Sequence, residues 1–158
     1  MTAVTPLARR ALLRAGAAGA AVTALASCTA EPSTPDKPDP LVELAATART
    51  DAANATAVAQ ALPDVADQAT QIATARGEHA TALRREVDRE HPPTTRTKQK
   101  PPTPTSPPDT EAARTMLRDA LSATEQRCGE LITSVPKYRA GLLGSIAAGC
   151  ASLREVLG

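Results

Sequence analysis

Thiols, imidazoles and a charge set among apolar residues are the chemical resources of this sequence, and they are few. Cys28, Cys128 and Cys150 are the only cysteines, His79 and His91 the only histidines, and Tyr138 the only aromatic residue. His79 lies three residues after Arg76, so on a helix the two side chains share a face. Two chemistries are open to His79: ligation of a metal with Glu78 or His91, or a hydrogen bond to a carboxylate such as Asp51 or Glu125. One histidine per helical segment is a poor ligand set, so the second reading is preferred. Arg76 sits on an otherwise apolar stripe and needs an acid partner once it is buried. The residues therefore point to a polar cluster of Asp51, Arg76, His79 and Glu125 that serves structure and holds no metal. Catalytic devices are missing: there is no Gly-rich phosphate loop, no Gly-x-Ser-x-Gly, no His-Glu-x-x-His and no second histidine placed for a triad. No catalytic residue and no cofactor is expected.

The N-terminus carries a second kind of chemistry. Residues 1–27 contain Arg9, Arg10 and Arg14 but no acid, followed by the small apolar run from Ala15 to Ala26. This order is that of a signal peptide, and the run falls short of the roughly 20 apolar residues that span a bilayer. It ends at Leu25-Ala26-Ser27-Cys28, which resembles a bacterial lipobox. That resemblance implies a diacylglyceryl group on the Cys28 thiol, cleavage before Cys28 and acylation of the new amino terminus, by fatty acids such as palmitate. Arg9-Arg10-Ala11-Leu12-Leu13-Arg14 also resembles the twin-arginine export signal, with Ala8 in place of the usual hydroxyl residue before the pair. The expected location is the outer face of the cell membrane, held there by lipid through Cys28. Export leaves Cys128 and Cys150 as an even pair in an oxidising setting, where a disulfide between them is expected. In an antiparallel hairpin the two are level only if its centre lies near residue 139, midway between them. Removing residues 1–27 turns the formal charge from +1 to near −2, with 15 basic and 17 acidic residues remaining, so nucleic acid is not an expected partner.

The elements that would position these residues are helical. Of 158 residues 34 are alanine and none is phenylalanine or tryptophan, which favours helix over a sandwich or barrel. Residues 28–39 carry Pro32, Pro35 and Pro38 among polar neighbours and read as an extended tether. Asp39-Pro40 is a helix start, with Asp as N-cap and Pro in the first turn. The stripe Leu44, Ala48, Ala52, Ala55, Val58 or Ala59, and Leu62 follows, up to the stop at Pro63. A second helix carries Val65, Ala69, Ile72, Arg76, Ala80, Leu83 and Val87 to about Glu90. Its last outer face, Arg84 to Glu90, mixes signs and reads as a solvated surface with weak pairs. Residues 91–108 hold seven prolines and no acid, with Arg96, Lys98 and Lys100; this is a solvated crossover, with contact to anionic headgroups as the less favoured alternative. Asp109-Thr110-Glu111 opens a third helix, with Leu117, Leu121, Thr124, Cys128, Leu131 and Val135 inward. A fourth follows Pro136, with Leu143, Ile146, Cys150, Leu153 and Leu157 inward.

The loop lengths select the topology. Corners at Pro63 and Pro136 make two antiparallel hairpins, and 18 residues in polyproline form reach roughly 56 Å against roughly 37 Å for a 25-residue helix. The connection can therefore run end to end, giving an all-α four-helix bundle over residues 40–157; a simple up-down-up-down bundle is the alternative. Two hairpins joined by one long crossover is the order of ferritin-like bundles. Together with Arg76-Gly-Glu-His79-Ala-Thr-Ala-Leu83, Tyr138-Arg-Ala-Gly-Leu-Leu-Gly-Ser-Ile-Ala-Ala and the weak echo between Leu83-Arg-Arg-Glu-Val87 and Leu153-Arg-Glu-Val156, the chain resembles exported ferritin-like lipoproteins of actinobacteria, a group of largely uncharacterised function. Metal-binding ferritin-like proteins carry a Glu on two helices and Glu-x-x-His on the other two. Here those last two slots read Arg76-x-x-His79 and Ala147-x-x-Cys150, so the resemblance implies a site that has lost its metal. The expected function is a non-enzymatic binding or structural role in the cell envelope, with an unknown envelope protein or ligand as partner. The alternatives are a metal-binding protein or oxidoreductase using His79, Asp51 and Glu125, and a carrier of an apolar ligand.

Overall fold

The computed structural model describes residues 38–93 and 100–158. The signal segment, Cys28 and all of the tether before Pro38 lie outside the described residues, as do Arg96 and Lys98 of the crossover. Four helices follow one another: α1 (Pro40–Ala61), α2 (Ala66–Glu90), α3 (Thr110–Ile132) and α4 (Lys137–Val156). Each boundary has a local chemical cause. Asp39 Oδ1 accepts the Leu41 N–H at 3.0 Å, and Pro40 fills the first turn, where its missing N–H costs nothing. Leu62, forced out of helical geometry ahead of Pro63, ends α1 with an extended backbone. A single 3-10 turn, Pro63–Val65, then leads into α2. His91 caps α2 before Pro92 and Pro93, and Asp109 Oδ1 accepts the Ala112 N–H at 2.8 Å to open α3. Between α3 and α4 the Ser134 and Val135 amides fold back on the Leu131 carbonyl, so Val135, expected at the end of the third stripe, belongs to the turn instead.

The crossover chooses between the two bundle topologies. Arg49 Nη2 donates to the Lys100 carbonyl at 2.9 Å, and the Thr105 amide donates to Asn54 Oδ1 at 2.8 Å. As its numbering rises the segment thus climbs α1 in α1's own direction, from the end where α2 stops to the end where α3 must begin. The helices consequently run up, down, down and up, and the simple alternating bundle is excluded. At the lower end Arg139, in the first turn of α4, meets Asp39 before α1 and Glu86 near the end of α2.

The core is built from small and branched aliphatic side chains. Leu41, Val58, Ile72, Leu83, Leu117, Leu121, Leu143 and Ile146 are almost entirely hidden, each worth about 1.5–3 kcal/mol over exposure. Ala48, Ala55, Ala69 and Ala113 are fully buried between them and let the helix axes approach closely. On α1 the seam position between Ala48 and Ala55 is occupied by Asp51; Ala52, expected there, is only half-buried. Spacings of three then four residues serve the seam as well as four then three, and Arg76 across the bundle decides the phase.

Candidate functional site: a saturated buried arginine

Arg76 is fully buried, and its guanidinium is the centre of the molecule's interior polar chemistry. Nη2 donates to Asp51 Oδ2 at 2.7 Å and to Thr124 Oγ1 at 2.9 Å. Nε also reaches Asp51 Oδ2, at 3.2 Å. Nη1 lies 3.3 Å from His79 Nδ1 and 3.6 Å from the Cys150 sulfur. An arginine has five N–H donors, and each has an acceptor here. The acceptors come from all four helices: Asp51 from α1, His79 from α2, Thr124 from α3 and Cys150 from α4. The charge is balanced by one carboxylate of the same interior.

The contact with Arg76 fixes the state of the imidazole. Nδ1 can accept from a guanidinium only without its own proton, so the proton belongs on Nε2 and the ring is neutral. Burial, helped by the neighbouring Arg76 charge, pushes the His79 pKa below its ordinary value. The opposite ring edge faces Gly149: a Cβ there would come within 3.2 Å of Nε2 and 3.3 Å of Cε1. A bare backbone on α4 thus makes room for the ring. Burial also raises the Asp51 carboxyl, against the opposing pull of Arg76.

Glu125 stands apart from this cluster. It is half-buried, 37% exposed at the side chain, and pairs with Arg154 at 3.1 Å. The inward position of that turn belongs to Thr124, one residue away and about 100° around the helix. The expected disulfide is also absent, since Cys128 and Cys150 are separate buried thiols. Register does not prevent the bond. Residues 125 and 154 face each other, as do Arg118 and the Gly158 carbonyl, so the hairpin is centred near residue 139 and the cysteines share a level. The Cys150 sulfur is instead engaged by Arg76. Burial pushes the Cys128 thiol up to about 11, with Cys150 contributing, and raises Cys150 as well, so both are protonated and poorly nucleophilic at neutral pH.

A second polar centre, unforeseen in the sequence, closes the lower end of the bundle. Arg139 is 5% exposed; its Nη1 meets Asp39 Oδ2 at 2.9 Å and its Nε meets Glu86 Oε1 at 3.0 Å. Arg89 grips the same Glu86 through two bonds of 2.7 and 2.9 Å and lies 4.9 Å above the Tyr138 ring. The Tyr138 hydroxyl donates to Glu90 Oε2 at 2.8 Å. The Arg89 hydrogen bonds, with those of Arg139, hold the Glu86 carboxyl down at about 2. This part of α2 is therefore more than a solvated face, although Arg84 and Asp88 do form the simple four-apart pair at 2.9 Å. The missed signal was available: Arg139 stands four residues before Leu143 and continues the inward stripe of α4.

Chemically, the interior cluster is closed. Its one carboxylate is bound to Arg76, its imidazole faces a cation, and its thiols are protonated. Among the described residues no group of three or more His, Cys, Asp and Glu side chains could hold a metal ion. A pair of iron or manganese ions needs several hard oxygen donors, and a guanidinium standing in that space does not fit them. Nor, among the described residues, is any helix long and apolar enough to cross a membrane. Set beside known proteins, the chain matches no family model, no curated protein and no solved structure.

Proposed function

We propose that this chain is a lipoprotein of the cell envelope, exported and anchored to the outer face of the membrane through Cys28, whose four-helix bundle has a non-enzymatic binding or structural role. The observation that carries the non-enzymatic part is the saturation of Arg76. The place where a four-helix bundle would hold a cofactor or substrate is filled by the protein's own guanidinium, with every donor used. The anchored part rests on Arg9, Arg10 and Arg14, the apolar run after them and Leu25-Ala26-Ser27-Cys28. The up-down-down-up order with an end-to-end crossover is the order of ferritin-like bundles and favours a relationship to them in which Arg76 took over a metal site. A partner then engages the outside of the bundle.

Metabolic labelling with a fatty acid tests the anchor. The wild-type chain takes up label and fractionates with membranes, and Cys28→Ala abolishes both; label retained by the variant would overturn the assignment. Crosslinking in intact cells identifies the partner. Near-stoichiometric iron or manganese in protein purified without added metal would replace the binding role with a metal-dependent one.

A further inference from the structure

Among the described residues, two kinds of hydroxyl can be told apart. On the helices the hydroxyls are spent on the backbone: Thr50, Thr56, Thr74, Thr81 and Ser152 each donate to the carbonyl four residues back, at 2.8–3.2 Å. Such a bond needs a preceding helical turn to supply the carbonyl. The crossover has none. Its residues 100–107 are neither helix nor strand, and Pro101, Pro102, Pro104, Pro107 and Pro108 favour the polyproline form, which has no internal hydrogen bonds. Thr103, Thr105 and Ser106 are all exposed there, and their hydroxyls make no hydrogen bond among the described residues.

The backbone of this stretch is nevertheless fixed, because the Thr105 amide donates to Asn54 Oδ1 at 2.8 Å. Three unspent hydroxyls thus stand on an exposed segment that is fastened to α1 by its main chain. Residues 101–108 carry no charge, so an enzyme that reads them has backbone, proline rings and hydroxyls to recognise. Serine and threonine among prolines on an exposed segment are the setting of O-linked sugars.

We propose that Thr103, Thr105 and Ser106 are acceptors for O-glycosylation by a membrane-bound transferase whose donor is a sugar joined through phosphate to a lipid. A base of the transferase takes the hydroxyl proton, since a neutral hydroxyl is a weak nucleophile. The hydroxyl oxygen bonds to the anomeric carbon as the bond from that carbon to the phosphate oxygen breaks. The lipid phosphate leaves with the electron pair, and nothing is oxidised or reduced. The site rests on the export proposed above, which brings the chain to a lipid-linked donor.

The test is peptide mapping by mass spectrometry of the full chain, expressed with its own leader in its native host. Trypsin releases residues 99–114, because Lys100 is protected by Pro101, and this peptide holds the three acceptors together with Thr110, the first residue of α3, as an internal control. Electron-transfer fragmentation is expected to place whole sugar residues on Thr103, Thr105 or Ser106 and none on Thr110. Joint Thr103→Ala, Thr105→Ala and Ser106→Ala substitution removes every increment while circular dichroism stays unchanged. The same digest reports export, through a peptide that begins at lipid-modified Cys28. A bare 99–114 peptide beside a processed Cys28 overturns the glycosylation and leaves the anchor standing; a bare peptide beside an uncleaved leader overturns both. Phosphate in place of sugar, or sugar spread equally over the helical threonines, also overturns the assignment.

Discussion

The molecule buries two arginines, and it treats them differently. Arg76 sits at mid-bundle with one carboxylate, a threonine, an imidazole and a thiol around it. Arg139 sits at the lower end between two carboxylates, one of which, Glu86, it shares with a solvent-facing arginine. The first has minimal countercharge and complete hydrogen bonding, as a low-dielectric interior demands. The second has surplus countercharge and leaves its buried Nη2 without a hydrogen bond among the described residues. Arg76 therefore acts as a lock that specifies which faces of four helices meet. Arg139 acts as a clasp joining three helix ends.

The strongest way to break the comparison is to remove the Asp51 carboxylate. Asp51→Ala strands a buried cation, and urea unfolding should show a loss of about 3–5 kcal/mol. If Arg76 is a specificity device and not a net source of stability, Asp51→Leu combined with Arg76→Met recovers that loss and can exceed the parent by about 1–4 kcal/mol. At the clasp, Asp39→Ala removes an N-cap and one of the two carboxylates on Arg139 at once; the expected cost is about 1–2 kcal/mol. A loss as large as that of Asp51→Ala would erase the distinction.

The glycines of α4 give a finer contrast. Gly144→Ala meets open space and should gain up to about 1 kcal/mol from helix propensity. Gly149→Ala has the same propensity gain but presses on His79, which Arg76 holds in place, so its thermal midpoint should fall below that of Gly144→Ala. The smallest effects are on pH dependence. The folded pKa of His79 lies below that of the unfolded chain, so its contribution is intact above pH 6.5 and erodes as pH falls below it; His79→Gln should flatten that slope. Glu86 also has a lowered pKa, but as a carboxylate its contribution is present above about 4.5 and is lost as pH falls toward about 2. The two centres should thus respond in separate pH windows, resolvable by unfolding curves on the single variants.

Much of the fold was legible because helices announce their ends. Asp39-Pro40, Pro63, the prolines after His91, Asp109 and Pro136 all mark observed boundaries, and the length of the proline segment allowed the crossover that Arg49 and Asn54 hold. Phase was harder. Asp51 and Ala52, or Thr124 and Glu125, are adjacent candidates for one inward position, and a repeat of three and four tolerates either. Only the partner across the bundle decides. Arg139 is hidden for a related reason: apolar periodicity alone starts the α4 stripe at Leu143, one turn late. The cysteines show the limit of register arguments, since the level was right while Arg76, reaching from another hairpin, engages the sulfur.

Asp39 has a mechanical meaning as well. It is the last residue before α1, it caps that helix through one oxygen, and its other oxygen is held by Arg139 at 2.9 Å. A pull arriving along the chain through Pro38 does not load the first turn of α1 alone. It passes through Arg139 into α4 and through Glu86 into α2, so three helices share the load in shear, and peeling one helix from the bundle requires the clasp to open first.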